Sequence, residues 1–212
     1  SLMLRYATVS LHLLAVLAAL LHQAAAQTSL PAYQVSILKK FYDTLDGPNW
    51  RMQGRNQTLG YICNDISGSA VPITGAVWDF SPPVGFNGAT PDPCTFKGVT
   101  CAEGEVTKLQ LCGAGLTGPF PDLVSKGEGL SKLQVLDLSD NFVTGELPDL
   151  SSLAHLEQLW LGDNTLRGTL DALTTGASLP NLQVLQLENN KLTGEIFGVS
   201  VPPQPPCPPD SP

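Results

Sequence analysis

Few side chains in this 212-residue sequence are suited to catalysis or metal binding. Of the three histidines, His12 and His22 lie in an apolar leader, which leaves His155 alone in the mature chain. One imidazole cannot complete a Ser-His-Asp set, a Cys-His set or a His-based metal site. His155 stands between Leu153 and Leu156 at the approach to a strand, where a solvent-facing role is expected. The five cysteines are Cys63, Cys94, Cys101, Cys112 and Cys207, with no C-x-x-C pair among them. Behind an export leader they read as disulfides and not as zinc ligands. An odd count leaves one thiol over, and Cys207 in a Pro-rich tail is the natural orphan. Paired carboxylates such as Asp137 and Glu188 suit glycoside hydrolysis in principle. Here they project from an open strand surface, with no pocket to raise one pKa. No phosphate-binding loop occurs. The expectation is a protein that is not an enzyme and holds no cofactor and no metal.

The elements that position these residues are repeats. LSKLQVLDLSDNFVTG (130–145), LAHLEQLWLGDNTLRG (153–168) and LPNLQVLQLENNKLTG (179–194) are three copies of one phrase, and VTKLQLCGAGLTG (106–118) is a weaker first copy. The matching leucines, Leu109, Leu136, Leu159 and Leu185, recur every 23 to 27 residues. The pattern L-x-x-L-x-x-L-x-L-x-x-N-x-L at this period is the leucine-rich-repeat signature. Each L-x-L core predicts a short strand with alternate side chains pointing inward. The Asn that follows, at 141, 164 and 190, is placed to pair with backbone groups otherwise buried without partners. One coil cannot bury its own apolar edge, so the coils must stack.

Stacking turns the residues between the inward leucines into rows on the concave face. The rows are Lys108/Val135/Gln158/Val184, Gln110/Asp137/Trp160/Gln186, Cys112/Ser139/Gly162/Glu188 and Gly113/Asp140/Asp163/Asn189. Strands about 4.8 Å apart make each row a near-continuous stripe. Candidate binding residues are therefore Gln110, Asp137, Ser139, Asp140, Gln158, Trp160, Asp163, Gln186 and Glu188. Trp160 is expected to be the large exposed aromatic at the centre, since Trp is enriched at binding hot spots. Asp140 and Asp163 would be adjacent like charges, a repulsion that a cationic partner relieves.

The repeats resemble the plant-type extracellular leucine-rich repeat, whose coils continue L-T-G-x-I-P. LTGPFP (116–121) and VTGELP (143–148) match that continuation, while the third and fourth copies carry Asp171 and Phe197 in place of its proline. ILKKFYDTLDGPNW (37–50) is similar to the helix that opens the family's N-terminal cap. DPCTFKGVTC (92–101) has the family's C-x6-C spacing around W-x-G-V, with Phe96 where the family has Trp. The resemblance implies a Cys94–Cys101 bridge closing a lid over the first coil, and Cys63–Cys112 is the residual pairing. The implied fold is α/β. It is a solenoid with short parallel strands on the concave face, a mostly irregular convex side and a helical, disulfide-bonded cap. The family includes receptor ectodomains, inhibitors of wall-degrading enzymes and wall-anchored repeat proteins.

The organisation follows. Residues 1–26 read as a signal peptide, with Arg5, an apolar core at 11–21 and Ala24–Ala26 before Gln27. That core is short for a bilayer span. Residues 27–105 form the cap, including a Gly/Pro-rich loop at 51–93 that carries Tyr61, Trp78, Phe80 and Phe86. Residues 31–45 predict a helix with Val35, Leu38, Phe41, Tyr42 and Leu45 on one face. The long loop reads as an ornate cap whose aromatics cover the first coil, or as a partner-contacting loop. Asn56 begins the one N-x-S/T sequon and is a candidate glycosylation site. Residues 106–198 are the repeats, and 199–212 (VSVPPQPPCPPDSP) is a Pro-rich tail suited to polyproline II.

A net charge of −8 argues against nucleic acid as a partner. The expected function is a secreted or cell-surface module that binds a protein, peptide or glycan through its concave face. Membrane association would come only through a downstream segment or an uncleaved signal anchor. The alternative is a structural wall or matrix component anchored by the tail.

Overall fold

The computed structural model describes residues 30–51, 62–64, 70–81, 92–125, 128–174 and 179–193. The leader, Asn56, Tyr61, Phe86, Cys207 and the Pro-rich tail lie outside the described residues.

In chain order the elements are helix α1 (Ala32–Thr44), the hairpin strands β1 (Ile62–Asn64) and β2 (Ala70–Pro72), then β3 (Val99–Ala102) and β4 (Glu105–Gln110). The coils continue with β5 (Thr117–Pro119), β6 (Val124–Ser125), β7 (Glu128–Gly129), β8 (Val135–Asp137) and β9 (Phe142–Gly145). They end with β10 (Gln158–Trp160), β11 (Thr165–Thr169), the one-turn helix α2 (Asp171–Thr174), β12 (Val184–Gln186) and β13 (Lys191–Thr193).

Two ladders run along the solenoid. One sheet has the order β12-β10-β8-β4-β3, with its first four members parallel and β3 antiparallel to β4 at the N-terminal edge. The other has the order β13-β11-β9-β5 and is parallel throughout. This second ladder comes from the phrase after the Asn and runs through all four coils. Its proline is thus dispensable: in the third coil β11 ends at Thr169, and Asp171 opens α2 in proline's place. The leucines Leu109, Leu111, Leu136, Leu138, Leu159 and Leu161 are fully buried between the ladders.

Each repeat asparagine binds its own coil to its neighbour. Asn141 Oδ1 accepts from the Gly115 and Leu116 N–H groups at 2.8 and 3.0 Å, and its Nδ2 donates to the Leu111, Leu138 and Ser139 carbonyls. Asn164 does the same for Val143 N–H and the Leu138, Leu161 and Gly162 carbonyls. Asn190 pairs with Leu166 N–H and the Leu161, Leu187 and Glu188 carbonyls. An amide suits the position because it offers both an acceptor and two donors.

Helix α1 closes the first coil. Its buried side is Gln34, Ile37, Leu38 and Phe41, followed by Leu45, while Val35 and Tyr42 are half-buried flanks. Gln34 belongs to that side because its amide caps the start of β4. Its Oε1 accepts from Val106 N–H at 2.9 Å, and its Nε2 donates to the Glu105 carboxylate. The helix approaches β5 so closely that a Cβ at Gly118 would overlap the Thr44 carbonyl oxygen. Beside it, Tyr42, Trp50, Trp78, Phe80 and Phe96 form one aromatic cluster. Trp78 stacks on Phe96 with centroids 5.5 Å apart, and its Nε1 donates to the Lys97 carbonyl. The long loop therefore supplies the Trp that the C-x6-C segment lacks. Cys94 is bonded to Cys101 there, and Cys63 of β1 to Cys112, two residues beyond the end of β4.

Candidate binding surface

The strands align residue for residue: Lys108, Val135, Gln158 and Val184 form one row, and Gln110, Asp137, Trp160 and Gln186 the next. The face they make is not open along its whole length. The disulfide from Cys63 to Cys112 holds the β1–β2 hairpin against the end of the first strand, and both cysteines are buried. Cys63, Cys112 and Asp137 come together within 4.8 Å. The two sulfurs are bonded to each other and offer no thiolate, so this group is not a metal site.

Two sequence expectations need correction here. Asp137, expected on an exposed surface, is only 1% exposed. Its Oδ1 accepts from Ser139 N–H and Oγ–H at 3.0 and 2.6 Å, while Oδ2 is buried without a hydrogen-bond partner. Burial pushes its pKa above the usual carboxylate range, against a smaller lowering by the Ser139 bonds. Trp160, expected to be exposed at the centre, is only 7% exposed. Its indole N–H turns back along its own strand to Gln158 Oε1 at 3.4 Å, so the ring follows the sheet surface and does not stand clear of it. Val135 beside them is buried too. These three form a closed patch in the second and third coils. Asp137 and Glu188, the pair weighed for hydrolysis, are separated by strand β10.

The end-of-strand row has a backbone reason for its composition. Gly113, Asp140, Asp163 and Asn189 all adopt the left-handed conformation, with φ of 59°, 55°, 53° and 53°. Gly, Asn and Asp tolerate that region best. Asp140 and Asp163 remain exposed, and Asn189 Nδ2 donates to Asp163 Oδ1 at 2.8 Å. Glu188 is exposed and leans over Gly162, where a Cβ would meet its carboxylate. Gln110, Ser139, Gln158 and Gln186 are half-buried. His155 is exposed, and its Nδ1 donates to the Ser131 carbonyl of the preceding coil at 2.7 Å.

The open surface is thus divided. Toward the C-terminal coils it is acidic, with Asp140, Asp163 and Glu188. Toward the cap it carries exposed Lys108, which borders a cleft between the β2 exit and strands β3 and β4. Sequence reading placed Lys108 in a row but gave it no role, because the cleft's other wall comes from Ile73 and Thr74 in the long loop.

Comparison with known proteins agrees with this architecture. Residues 131–175 match the family model described as Leucine Rich repeats (2 copies), and residues 181–199 match Leucine Rich Repeat. Receptor-like kinase TMK4 of Arabidopsis thaliana is 28% identical over 111 residues, covering 52% of this chain and 12% of that protein. The chain carries leucine-rich repeats similar to those of plant receptor kinases. Receptor-like protein kinase 7 of the same plant is 42% identical over 79 residues, 36% of this chain and 8% of its own length. The chain spans about an eighth or less of such curated relatives. Among solved structures, the leucine-rich-repeat ectodomain of the Arabidopsis thaliana receptor kinase SOBIR1 aligns with a TM-score of 0.43 at 22% identity. That alignment covers 77% of this chain and 70% of the ectodomain. Among the described residues no helix is long and apolar enough to cross a membrane.

Proposed function

We propose that the protein is a non-catalytic extracellular recognition module that binds a peptide, glycan or short protein segment on its concave side. The observation that carries this reading is the open acidic half of the parallel sheet, where Asp140, Asp163 and Glu188 stand exposed on adjacent coils. Three carboxylates on neighbouring strands repel one another, and a cationic ligand removes that cost. Gln158, Gln186 and Ser139, each from a different row, supply hydrogen bonds on the same face. Gln110 belongs to the cap-side half. Trp160 and Asp137 lie beneath as packed support and are not anchors that a ligand inserts upon. Two disulfides favour an oxidising, extracellular setting, and likeness to receptor-kinase repeats supports the binding role by analogy.

The test is selection of displayed random peptides on the immobilised protein, followed by photo-crosslinking of the enriched binders. The expected binders carry Lys or Arg, crosslink to β10 and β12, weaken with added salt, and are lost with Asp163→Asn plus Glu188→Gln. Crosslinks confined to the second ladder, or binders indifferent to both substitutions, would refute the assignment.

A further inference from the structure

The concave side has a second pole whose chemistry is opposite to the acidic one. At the cap end the chain from Ile73 to Thr74 forms one wall of a cleft of about 280 Å³, and Val99, Thr100, Lys108 and Gln110 form the other. Gly98 fixes that second wall: with φ of 76° it approaches β4 so closely that a Cβ would overlap the Gln110 carbonyl oxygen. The Cys63–Cys112 bridge secures the loop that supplies the opposite wall. Lys108 is exposed and makes no ion pair among the described residues, within a chain of net charge −8.

We propose that this cleft is a subsite for a carboxylate-bearing sugar, a uronate unit of an acidic glycan. The assignment rests on the reading of the protein as a binding module and names one ligand class for the cap-side end of its concave face. The Lys108 ammonium is the one cation among the described residues that line the cleft, and it faces the carboxylate. Thr74, Thr100 and Gln110 each offer both a donor and an acceptor, which matches ring hydroxyls that also do both. The volume of about 280 Å³ lies just below the roughly 300–1,000 Å³ usual for small-molecule sites, the scale of a single ring. Ile73, half-buried at the β2 exit, gives the ring an apolar edge to rest on. A peptide carboxyl terminus shares the charge, but the polar lining offers its last side chain little to bury.

The experiment titrates the isotopically labelled protein with galacturonate oligomers, neutral galactose oligomers, and a short peptide with a free or amidated carboxyl terminus, following backbone and Lys108 side-chain resonances. Galacturonate is expected to shift Thr74, Thr100, Lys108 and Gln110 while neutral galactose does not. Lys108→Gln should weaken that binding by about tenfold, the loss for one charge-assisted hydrogen bond, and added salt should weaken it too. Shifts from the free-acid peptide but not from galacturonate would overturn the sugar assignment. Galacturonate binding unchanged in Lys108→Gln would overturn the site. No shift with any probe would do the same, while leaving the acidic half open to its own cationic ligands.

Discussion

The repeat asparagines allow a graded prediction, because the structure gives each a different number of groups to orphan. In Asn141→Ala the Gly115 and Leu116 N–H groups and the Leu111 carbonyl lose the side-chain partner that holds them. The Leu138 and Ser139 carbonyls keep the Asn164 amide and the Gly113 N–H. At about 1–3 kcal/mol for each buried orphan, and with Gly115 only half-buried, the loss is about 3–6 kcal/mol. In Asn164→Ala only the Val143 N–H is stranded, since the Leu138, Leu161 and Gly162 carbonyls retain Asn141, Asn190 and the Asp140 N–H. That change should cost about 1–3 kcal/mol. Asn190 is half-buried, water can replace its bonds, and about 1 kcal/mol is expected. Urea unfolding gives the totals, and amide exchange gives the location, which matters because coils can open separately. The expected order is Asn141, then Asn164, then Asn190, with faster exchange at Gly115 and Leu116 in the first variant. Equal losses at 141 and 190, or unchanged exchange at those two amides, would refute the account of the asparagine ladder.

Three further outcomes follow. Trp160→Ala should cost about 3–5 kcal/mol in chemical denaturation, and Leu161→Ala about 2–5 kcal/mol; a silent Trp160→Ala would show that the indole is not packed. Asp137 binds its proton more tightly folded than unfolded, so its contribution to stability is fully present in acid and is lost as pH rises through the elevated folded pKa. Asp137→Asn should flatten that slope in unfolding midpoints measured above the usual carboxylate range. Cys63–Cys112 spans 49 residues and Cys94–Cys101 spans 7. Replacing the first pair by serine should therefore cost about 4 kcal/mol and the second about 2.5 kcal/mol by chain entropy, read as thermal midpoints.

Much of this fold is legible in the sequence because its signals are local and repeated. The spacing of Leu136, Leu138 and Asn141 recurs at Leu159, Leu161 and Asn164, so strand, inward face and turn can be placed without tertiary information. The departures arise where a segment distant in sequence intervenes. Asp137 and Trp160 occupy the outward positions that periodicity assigns, yet nothing in the coil of Asp137 announces a hairpin tied down beside it through Cys63, and nothing in that of Trp160 announces an indole that turns back to Gln158. Gln34 is polar and belongs to the buried side of α1 because the start of β4 needs a hydrogen-bond partner. Asp140 and Asp163 read as a charged row, but their residue type also answers to a left-handed backbone that no charge pattern reveals. The aromatic loop is the converse: Trp78 and Phe80 fall into the cap, and Phe96 in place of Trp was the local sign that another ring was required.

The dimensions of the concave face limit what it can hold. Four parallel strands about 4.8 Å apart span about 14 Å, and the strands after β4 are three residues long, about 10 Å. The face is therefore on the order of 150 Å² in projection, and a closed patch around Val135, Asp137 and Trp160 lies within it. A stable interface between folded proteins buries about 800 Å² on each partner, several times what these strands offer. An extended chain does not need that area. A peptide or glycan strand laid along the rows meets one or two side chains per coil, and coils in series read successive units. Along such a path the ligand would pass from Lys108 and the cap-side cleft to Asp163 and Glu188, from a cation to a group of acids. A ligand with one anionic and one cationic end, spaced by two or three strand widths, fits that order in one direction only. The cap that closes the first coil also carries Ile73 and Thr74 to the cation end, so the same segment that ends the core would mark the end at which the anionic part of a ligand lies.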